Sequence, residues 1–565
     1  MIYTAIIIHL GLSKNNSYMT SKYNTWYHPY TPASAYSKRI AYFSMEFGIH
    51  QALKIYSGGL GFLAGSHMRS AFEYKQNMIG IGMLWKYGYY DQGRHKDQTL
   101  HPQFIEKQYS FLEDSGHEID VKIFDNATVK VRAMVLKPEI FGTVPIYLLT
   151  TDVDGNDDLS RSITNHLYDS TELTRICQSI VLGVGGAKLV EVLGGADVYH
   201  LNEGHALPAF YYLRNNGFKK DHMVFTTHTP EKAGNVERNA KVLNDSGFFG
   251  RTLTAEELQE ETGNRDTLNY TIAALRMAKK TNAVSKLHAK VAKEMWKGQT
   301  GAAGIYPITN AQNQKFWQDE GVKKSWIAKN SKTYQKRKLQ LKSELFEEVL
   351  NQTGKLFDPN ILTIVWARRF AAYKRADLLL HDMERFERLL HNTERPIQII
   401  WAGKPYPLDF DAIGVFNRLV HFTKFRHNTA VLTGYEMSLS KKLKTGSDVW
   451  LNTPRITREA SGTSGMTAAM NGSVNLSIND GWIPEFARNG KNSFVLPEAD
   501  YKSPVWEQDV LDSKNLYEIL ENKVLPTYYE KPAKWQEIVF KGIDDVIPAF
   551  ASQRMTKEYY DTLYT

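Results

Sequence analysis

Short apolar runs alternate with amphipathic stretches along most of this chain. The first half predicts strands at residues 40–44, 129–135, 145–149, 198–201 and 223–226, and helices at 63–74 and 172–192. After residue 355 a second series follows, with strands predicted at 361–366, 397–401, 430–433 and 448–451. Strands that alternate with helices favour a doubly wound parallel sheet. The pattern therefore predicts an α/β fold of two Rossmann-like lobes that face one another, with ligands bound in the cleft between them.

The changes between these series suggest a division of the chain. We expect an N-terminal extension at 1–37, a first lobe at 38–355 and a second lobe at 356–525. The tail at 526–565 is expected to form helices that pack back on the first lobe. Residues 320–343 are strongly basic, and we interpret them as a solvated helix face between the lobes rather than as a nucleic-acid patch.

Composition narrows the class of protein. With 565 residues, 42% hydrophobic and 23% charged, the chain is long enough for several domains and is typical of a soluble globular protein. Its net charge of +8 fits small anionic ligands but does not argue for nucleic acid. The single cysteine, Cys177, excludes a disulfide framework and a cysteine zinc site. The first residues lack a basic signal region and are too short to span a membrane, so we expect a cytoplasmic protein with no membrane partner.

One stretch carries the clearest chemical signal. Ser461, Gly462, Thr463 and Ser464 run directly into a predicted helix at 466–470. Small and hydroxyl residues at such a place let backbone N–H groups converge on an anion at the helix N-terminus. A simple helix cap is the alternative interpretation of the same pattern.

Two further turns are suited to phosphate. Gly58 and Gly59 lie between a strand and a helix, where glycine lets the backbone approach a phosphate closely, although helix–strand packing explains them equally well. Arg368, Arg369 and Lys374 follow the strand at 361–366. A guanidinium binds phosphate oxygens bidentately and an ammonium adds a point charge, so Arg369 and Lys374 can clamp a phosphate or a diphosphate.

The acidic segment at 152–158 superficially suggests a calcium loop. It lacks the glycine at loop position six and the glutamate at position twelve, so we reject calcium and expect a turn that caps the next helix. Nothing else in the sequence has the spacing of metal ligands.

The run Glu-Ala-Ser-Gly-Thr-Ser-Gly-Met at 459–466 resembles the signature of α-glucan (glycogen and maltodextrin) phosphorylases, in their short bacterial and archaeal branch. Gly-Gly-Leu-Gly at 58–61 and Ala-Arg-Arg-Phe-Ala-Ala-Tyr-Lys-Arg at 367–375 are similar to two more motifs of that family. The resemblance covers roughly residues 39–497. It implies the GT-B fold and a retaining, reversible phosphorolysis of glycogen or maltodextrin that yields glucose 1-phosphate. The cofactor would be pyridoxal phosphate, whose 5′-phosphate relays a proton to the substrate phosphate.

The resemblance also implies roles for individual residues. Catalysis would fall to His228, Arg369 and Lys374. The cofactor would be bound by Gly58, Gly59, Arg368, Lys374, Thr463, Ser464 and Thr467. The glucan would be bound by His205, Asn282, Glu459, Ser461 and Gly462, and the family allows a homodimer.

Departures from the family pattern leave the function open. In the family the residue after the signature methionine is the lysine that forms a Schiff base with the cofactor, whereas here it is Thr467, and no lysine follows it until Lys491. We therefore expect pyridoxal phosphate to be held non-covalently or to be absent. The family's Thr-Asn-Gly-Val-His is Thr-Asn-Ala-Gln-Asn at 309–313, and its Ala-Gly-Lys-Ala-His-Pro is Ala-Gly-Lys-Pro-Tyr-Pro at 402–407.

Two alternatives to a phosphorylase follow from these departures. One is a pyridoxal-independent GT-B transferase that uses a sugar nucleotide, since glycogen synthases share the spacing of Arg369 and Lys374. The other is a catalytically inert glucan-binding homologue.

Overall fold

Two large β-sheets organise the chain, which is known from a computed structural model that describes residues 22–124, 127–231 and 234–565. The strands of the first part are β1 (Ile40–Ser44), β2 (Met78–Met83), β3 (Asp91–Arg94), β4 (Leu100–Gln103), β5 (Glu113–Ile123), β6 (Ala127–Leu136), β7 (Ile146–Thr150), β8 (Val198–Asn202), β9 (Met223–Thr227), β10 (Glu237–Asn239), β11 (Thr267–Asn269), β12 (Lys280–Ala283) and β13 (Ile305–Pro307). Its helices are α1 (Gly59–Glu73), α2 (Pro138–Phe141), α3 (Asp158–Ser162), α4 (Glu172–Ile180), α5 (Gly186–Val192), α6 (Pro208–Asn215), α7 (Ala240–Asp245), α8 (Ala255–Thr262), α9 (Tyr270–Met277), α10 (Lys286–Met295), α11 (Gln314–Trp317), α12 (Glu320–Ile327) and α13 (Ser331–Thr353).

The second part repeats this alternation of strands and helices. Its strands are β14 (Leu362–Ala367), β15 (Ile397–Ala402), β16 (Thr429–Leu432), β17 (Val449–Asn452), β18 (Val474–Ser477) and β19 (Ser493–Val495). Its helices are α14 (Met383–Leu390), α15 (Phe410–Thr423), α16 (Met437–Gly446), α17 (Thr463–Met470), α18 (Ile483–Phe486), α19 (Val505–Ile519), α20 (Leu525–Glu530), α21 (Pro532–Phe550) and α22 (Ser552–Leu563). The predicted α/β fold with two Rossmann-like lobes is confirmed.

The first sheet differs from the prediction at one edge. Within the described residues it has nine strands, in the order β13-β12-β9-β8-β1-β2-β7-β6-β5. The pairs from β13 to β7 are parallel as predicted, but β7–β6 and β6–β5 are antiparallel, so the predicted parallel sheet carries two antiparallel strands at this edge. Side chains of β5 alternate between buried and exposed, as expected for a strand with one solvated face.

The second sheet is parallel throughout. Its order is β16-β15-β14-β17-β18-β19 among the described residues. Strand order reverses between β14 and β17, and ligands bind outside the carboxyl ends of strands at such a switch point. The loops after β14 and β17 carry Arg368, Lys374 and Glu459, so this topology gathers two phosphate-binding candidates and one glucan-binding candidate at one edge.

Segments from each part of the sequence pack against the sheet of the other part, so no single boundary divides the fold. The hairpin β3–β4 belongs to the first part of the sequence, yet Gln92 donates to the Gly403 carbonyl at 2.8 Å, and Leu100 lies in the core of the second sheet. At the other end, α21 packs on α17 and β18, whereas α22 packs on α1 beside the first sheet. The proposed boundaries near residues 37, 355 and 525 stay predictions.

Helix α13 corrects our interpretation of the basic segment at 320–343. Lys338 and Lys342 are 6% and 1% exposed, so this face is not fully solvated. The Lys338 ammonium donates to the Thr445 carbonyl at 2.9 Å, and that of Lys342 pairs with Asp448 at 2.5 Å. Burial is possible because each ammonium meets an oxygen acceptor. Sequence charge alone did not reveal these partners.

The helical run Glu172–Val192 is long and apolar enough to cross a membrane, but 78% of its apolar window is buried inside the fold. It contains the buried Cys177 and packs against the first sheet as a core helix. Before it, the acidic loop forms the expected cap, since the Asp157 side chain accepts from the Ser160 N–H at 2.7 Å.

Candidate active site

A cavity of about 310 Å³ lies between the carboxyl ends of the two sheets, a volume at the small end of ligand-binding pockets. Most of the predicted site residues line it: Gly58, Gly59, His228, Arg368, Arg369, Lys374, Glu459, Ser461, Gly462, Thr463 and Ser464. Residues far apart in the sequence therefore meet at one place, as the facing-lobe prediction requires.

Two helix N-termini open into this cavity. Helix α1 begins after Gly58 and helix α17 after Gly462, and neither glycine can offer a capping side chain. A Cβ atom built on Gly58 or Gly59 would meet nothing within 4 Å. Close packing therefore does not require glycine here, and the absence of a side chain leaves room in the cavity. Gly462 has a φ of +93°, which favours glycine. The free N–H groups and helix dipoles make both ends suited to an anion.

Glu46, which our sequence reasoning missed, fixes the loop before α1. Its carboxylate is buried and accepts from the Ser57 N–H at 2.7 Å, the Ser57 hydroxyl at 2.8 Å and the Tyr168 hydroxyl at 2.5 Å. Both Glu46 and Tyr168 line the cavity. The only sequence signal was an acidic residue just after the buried strand β1.

Glu459 stands between two cations of the β14 loop. Its carboxylate lies 3.2 Å from the Lys374 ammonium and 3.4 Å from Arg368 Nη1. Burial alone would raise the pKa of Glu459, but Lys374 and Arg368 hold it below its usual range. Asp480 positions the segment by accepting from the Glu459 backbone N–H at 2.8 Å. Glu459 is therefore a fixed, ionised acceptor at the cavity wall.

Several buried polar atoms at the cavity have no partner among the described residues. They are Nε and Nη2 of Arg368, Oγ of Ser461, Oδ1 of Asn310 and Nε2 of Gln312. Leaving a buried polar group unpaired costs about 1–3 kcal/mol, and more for a charged one. The Arg368 donors lie beside the N-terminus of α17 in the cavity lining, so the unmatched groups fit a ligand that carries an anion and several hydroxyl or amide groups.

His228 is held in a neutral, oriented state. Its Nε2 lies 2.7 Å from Asn202 Oδ1, and its backbone N–H donates to Glu203 at 2.7 Å. Burial lowers the pKa of His228 to about 3, so the ring is neutral at working pH, with Nε2–H donating to Asn202 and Nδ1 free to accept. Burial raises the pKa of Glu203 to about 7.

Several buried histidines predict acid sensitivity. Burial lowers the pKa from 6.5 to about 3 for His67 and His228 and to about 4 for His288. The unfolded chain binds more protons below pH 6.5, so this stability is full above pH 6.5, is lost progressively as the pH falls below 6.5, and is gone once the pH has fallen through the folded pKa values of about 4 to 3. Each histidine contributes a slope of up to about 1.4 kcal/mol per pH unit.

Denaturant unfolding between pH 7 and 4 measures this slope. His67→Gln should reduce the slope by up to about 1.4 kcal/mol per pH unit, which is the contribution of one proton. Glu203 acts in the opposite sense, since its contribution is present below pH 4.5 and is lost as the pH rises through about 7. Because Glu203 opposes the histidines over this window, the decisive quantity is the difference in slope between wild type and His67→Gln, and equal slopes for the two proteins would contradict the assignment.

Three candidates are not brought to the cavity lining. Asn282 is fully buried, with Nδ2 donating to the Tyr559 hydroxyl at 3.1 Å and Oδ1 accepting from Thr226 at 2.5 Å. This network occupies its amide, and the assignment of Asn282 to the glucan stays a prediction. His205 lies behind Tyr168, with the ring centroids 5.7 Å apart. Thr467 is fully buried one turn beyond Thr463, and its hydroxyl donates to the Ser464 carbonyl at 3.0 Å.

Lys444 lines the cavity and was also missed. It lies on α16, which precedes α17 in the chain and packs beside it, so the sequence around Thr467 does not reveal it. At residues 309–313, where the sequence differs from the family motif, Asn313 has a structural role. It caps α11 by accepting from the Phe316 N–H at 2.9 Å.

Comparison with known proteins points to one family. The carbohydrate phosphorylase model matches residues 314–496, and a model described as a protein of unknown function, DUF3417, matches residues 8–53. The chain is 44% identical to an uncharacterized protein of Methanocaldococcus jannaschii over 93% of this chain and 100% of that protein. It is 33% identical to a maltodextrin phosphorylase of Thermococcus litoralis, over 99% and 74% of the two chains. It is 30% identical to a glycogen phosphorylase of Aquifex aeolicus, over 97% and 89%.

Proposed function

Because this chain belongs to the carbohydrate phosphorylase family, we propose that it transfers a glucosyl unit between an α-1,4-glucan and inorganic phosphate, with glucose 1-phosphate as the product. The observation that carries this proposal is the convergence of two uncapped helix N-termini, Arg368, Arg369 and Lys374 on one cavity that also holds Glu459. An anion and a hydroxylated ligand would both find matching groups there.

In this proposal each side chain acts through its charge and position. Arg369 and the N-terminus of α17 bind the hydrogen phosphate whose oxygen attacks the anomeric carbon. The glycosidic C–O bond breaks, and the departing glucan oxygen takes the proton that this phosphate gives up. Ionised Glu459 accepts a hydrogen bond from a sugar hydroxyl. Neutral His228 offers a sugar hydroxyl its Nδ1 as acceptor, because Asn202 occupies the other ring nitrogen.

Relatives in this family normally use pyridoxal phosphate, and the cavity offers groups that fit it. The unpartnered N–H groups of Arg368, the open end of α17 and the Gly58 loop would hold its phosphate. When bound, the cofactor would supply a second phosphate group that can pass a proton to the substrate phosphate. Lys374 and Arg368 would lower the repulsion between two such phosphates, because both place a positive charge in the cavity wall.

The test is a paired assay on the purified chain. Glucan with phosphate should yield glucose 1-phosphate, and added pyridoxal phosphate should raise the yield. Transfer from a sugar nucleotide to glucan, with no phosphorolysis, would favour the synthase-like alternative. Silence in both assays with intact glucan binding would favour an inert homologue. A cytoplasmic location and a homodimer stay predictions.

Arg369→Ala should weaken phosphate binding by about 1.5–3 kcal/mol, the range for a hydrogen bond to a charged group. The Arg369 side chain lines the cavity and is exposed to it, so its removal leaves the fold intact. Isothermal titration with inorganic phosphate measures the loss. Arg418→Ala, which removes an exposed guanidinium paired with Asp377 outside the cavity lining, should change nothing. Equal affinities of wild type and Arg369→Ala would contradict the phosphate clamp.

A further inference from the structure

Lys444 is a buried lysine in the wall of the candidate active site. Its side chain belongs to α16 and is 2% exposed, yet it lines the same cavity as Gly59, Thr463 and Arg369. Its ammonium lies 3.8 Å from the ring centroid of Trp317 and 5.2 Å from that of Phe62. The amine therefore stands at an aromatic part of a cavity that is otherwise lined by phosphate-binding groups.

The surroundings of Lys444 differ from those of the chain's other buried lysines. Lys338 donates to the Thr445 carbonyl, Lys342 pairs with Asp448, and Lys404 pairs with Glu436 at 3.1 Å. Within the described ranges, no hydrogen bond or ion pair joins the Lys444 ammonium to an oxygen. Burying a cation without a counter-ion is costly, and the contact with the Trp317 ring offsets only part of that cost.

The same surroundings give Lys444 a reactive amine. Burial lowers its pKa to about 7, so a large share is unprotonated at neutral pH, although the face of Trp317 favours the cation to some extent. An unprotonated lysine in an apolar pocket is a nucleophile toward carbonyl carbon. Lys404 has a similarly low pKa, but Glu436 and the Tyr90 carbonyl occupy its ammonium.

Helix α17 cannot supply such an amine, because it contains no lysine and Thr467 stands at the position where the resemblance to the family places one. Thr463 and Thr467 are one turn apart on the same face of α17, and α16 packs directly against this helix. An amine on α16 therefore reaches the cavity from a helix that neighbours α17, which carries no lysine.

We infer that Lys444 takes over the covalent capture of pyridoxal phosphate in this chain. The Lys444 Nζ lone pair adds to the aldehyde carbon, a C=N bond replaces the C=O bond, and the carbonyl oxygen leaves as water. The inference rests on the proposed function only for the choice of aldehyde. It replaces our expectation that the cofactor is non-covalent or absent.

The test maps the site of attachment on the full wild-type chain. The protein is incubated with pyridoxal 5′-phosphate near one equivalent, reduced with borohydride, digested and analysed by mass spectrometry. We expect one reduced pyridoxyl adduct per chain, on the peptide that contains Lys444. Adduct formation should fall at least tenfold as the pH is lowered from 8 to 5, since the reacting amine becomes protonated.

Variants separate covalent capture from simple binding. Lys444→Met should lose at least nine-tenths of the adduct, whereas Lys441→Met, one turn earlier on α16 and outside the cavity lining, should keep it. Pyridoxamine 5′-phosphate has no aldehyde, so its affinity should change less than threefold in Lys444→Met, which also shows that this variant is folded. Adduct on another lysine, or no adduct on wild type while pyridoxamine phosphate binds, would overturn the inference. Failure of the glucan assay with the Lys444 adduct intact would refute the proposed function alone.

Discussion

Glu459→Gln is expected to lower the kcat/KM of glucose 1-phosphate formation by about 10- to 150-fold while leaving phosphate affinity unchanged or higher. The factor corresponds to the loss of about 1.5–3 kcal/mol for a hydrogen bond to a charged acceptor. Phosphate behaves differently because Glu459 pairs with Lys374 and Arg368, and removal of its charge frees both cations for the anion. Kinetics with varied glucan, together with phosphate titration, measure the two effects.

A matched control keeps this interpretation specific. Glu485→Gln removes a carboxylate that accepts from Thr309 and does not line the cavity, so it should leave both quantities near wild type. A fall in phosphate affinity in Glu459→Gln as large as the fall in turnover would mean that the substitution disturbed the phosphate site as a whole. The proposed contact between Glu459 and the sugar would then be wrong.

Lys342→Met should lower the free energy of unfolding by about 3–5 kcal/mol, the cost of breaking a buried ion pair from one side. Lys342 and Asp448 have side chains that are 1% and 6% exposed, and Asp448 also accepts from the Thr363 N–H at 2.9 Å. Methionine fills the space of the lysine chain but leaves the Asp448 carboxylate buried without a cation. Urea unfolding monitored by circular dichroism measures the loss.

Two controls identify the cause of that loss. The double variant Lys342→Met with Asp448→Asn should recover most of it, because asparagine keeps an acceptor for Thr363 and carries no charge. Lys557→Met breaks an exposed pair with Asp561 on α22, and it should cost no more than about 0.5 kcal/mol. A double variant as unstable as Lys342→Met alone would show that packing, rather than the unpaired charge, causes the effect.

The local pattern of the sequence predicted the elements of this fold. Strands such as Ile40–Ser44 and Ile397–Ala402 were found because a short apolar run between turn residues has few other interpretations. The edge strand Glu113–Ile123 was not found because its alternating, polar sequence resembles a surface segment. Its pairing with Ala127–Leu136 depends on a neighbour in space, which periodicity does not reveal.

The sequence by itself predicted the loops that we propose bind the anion. Gly58, Arg369 and Gly462 occur in short motifs whose function is local, since a loop that enters a helix exposes its N–H groups wherever the helix lies. Only the tertiary structure decided which side chains share the cavity. Lys444 lines the cavity because α16 packs beside α17, whereas Asn282 lies outside the lining and bonds to Tyr559 of α22. Helix packing joins residues that are distant in sequence, and burial then determines whether each polar group meets a ligand or the protein itself.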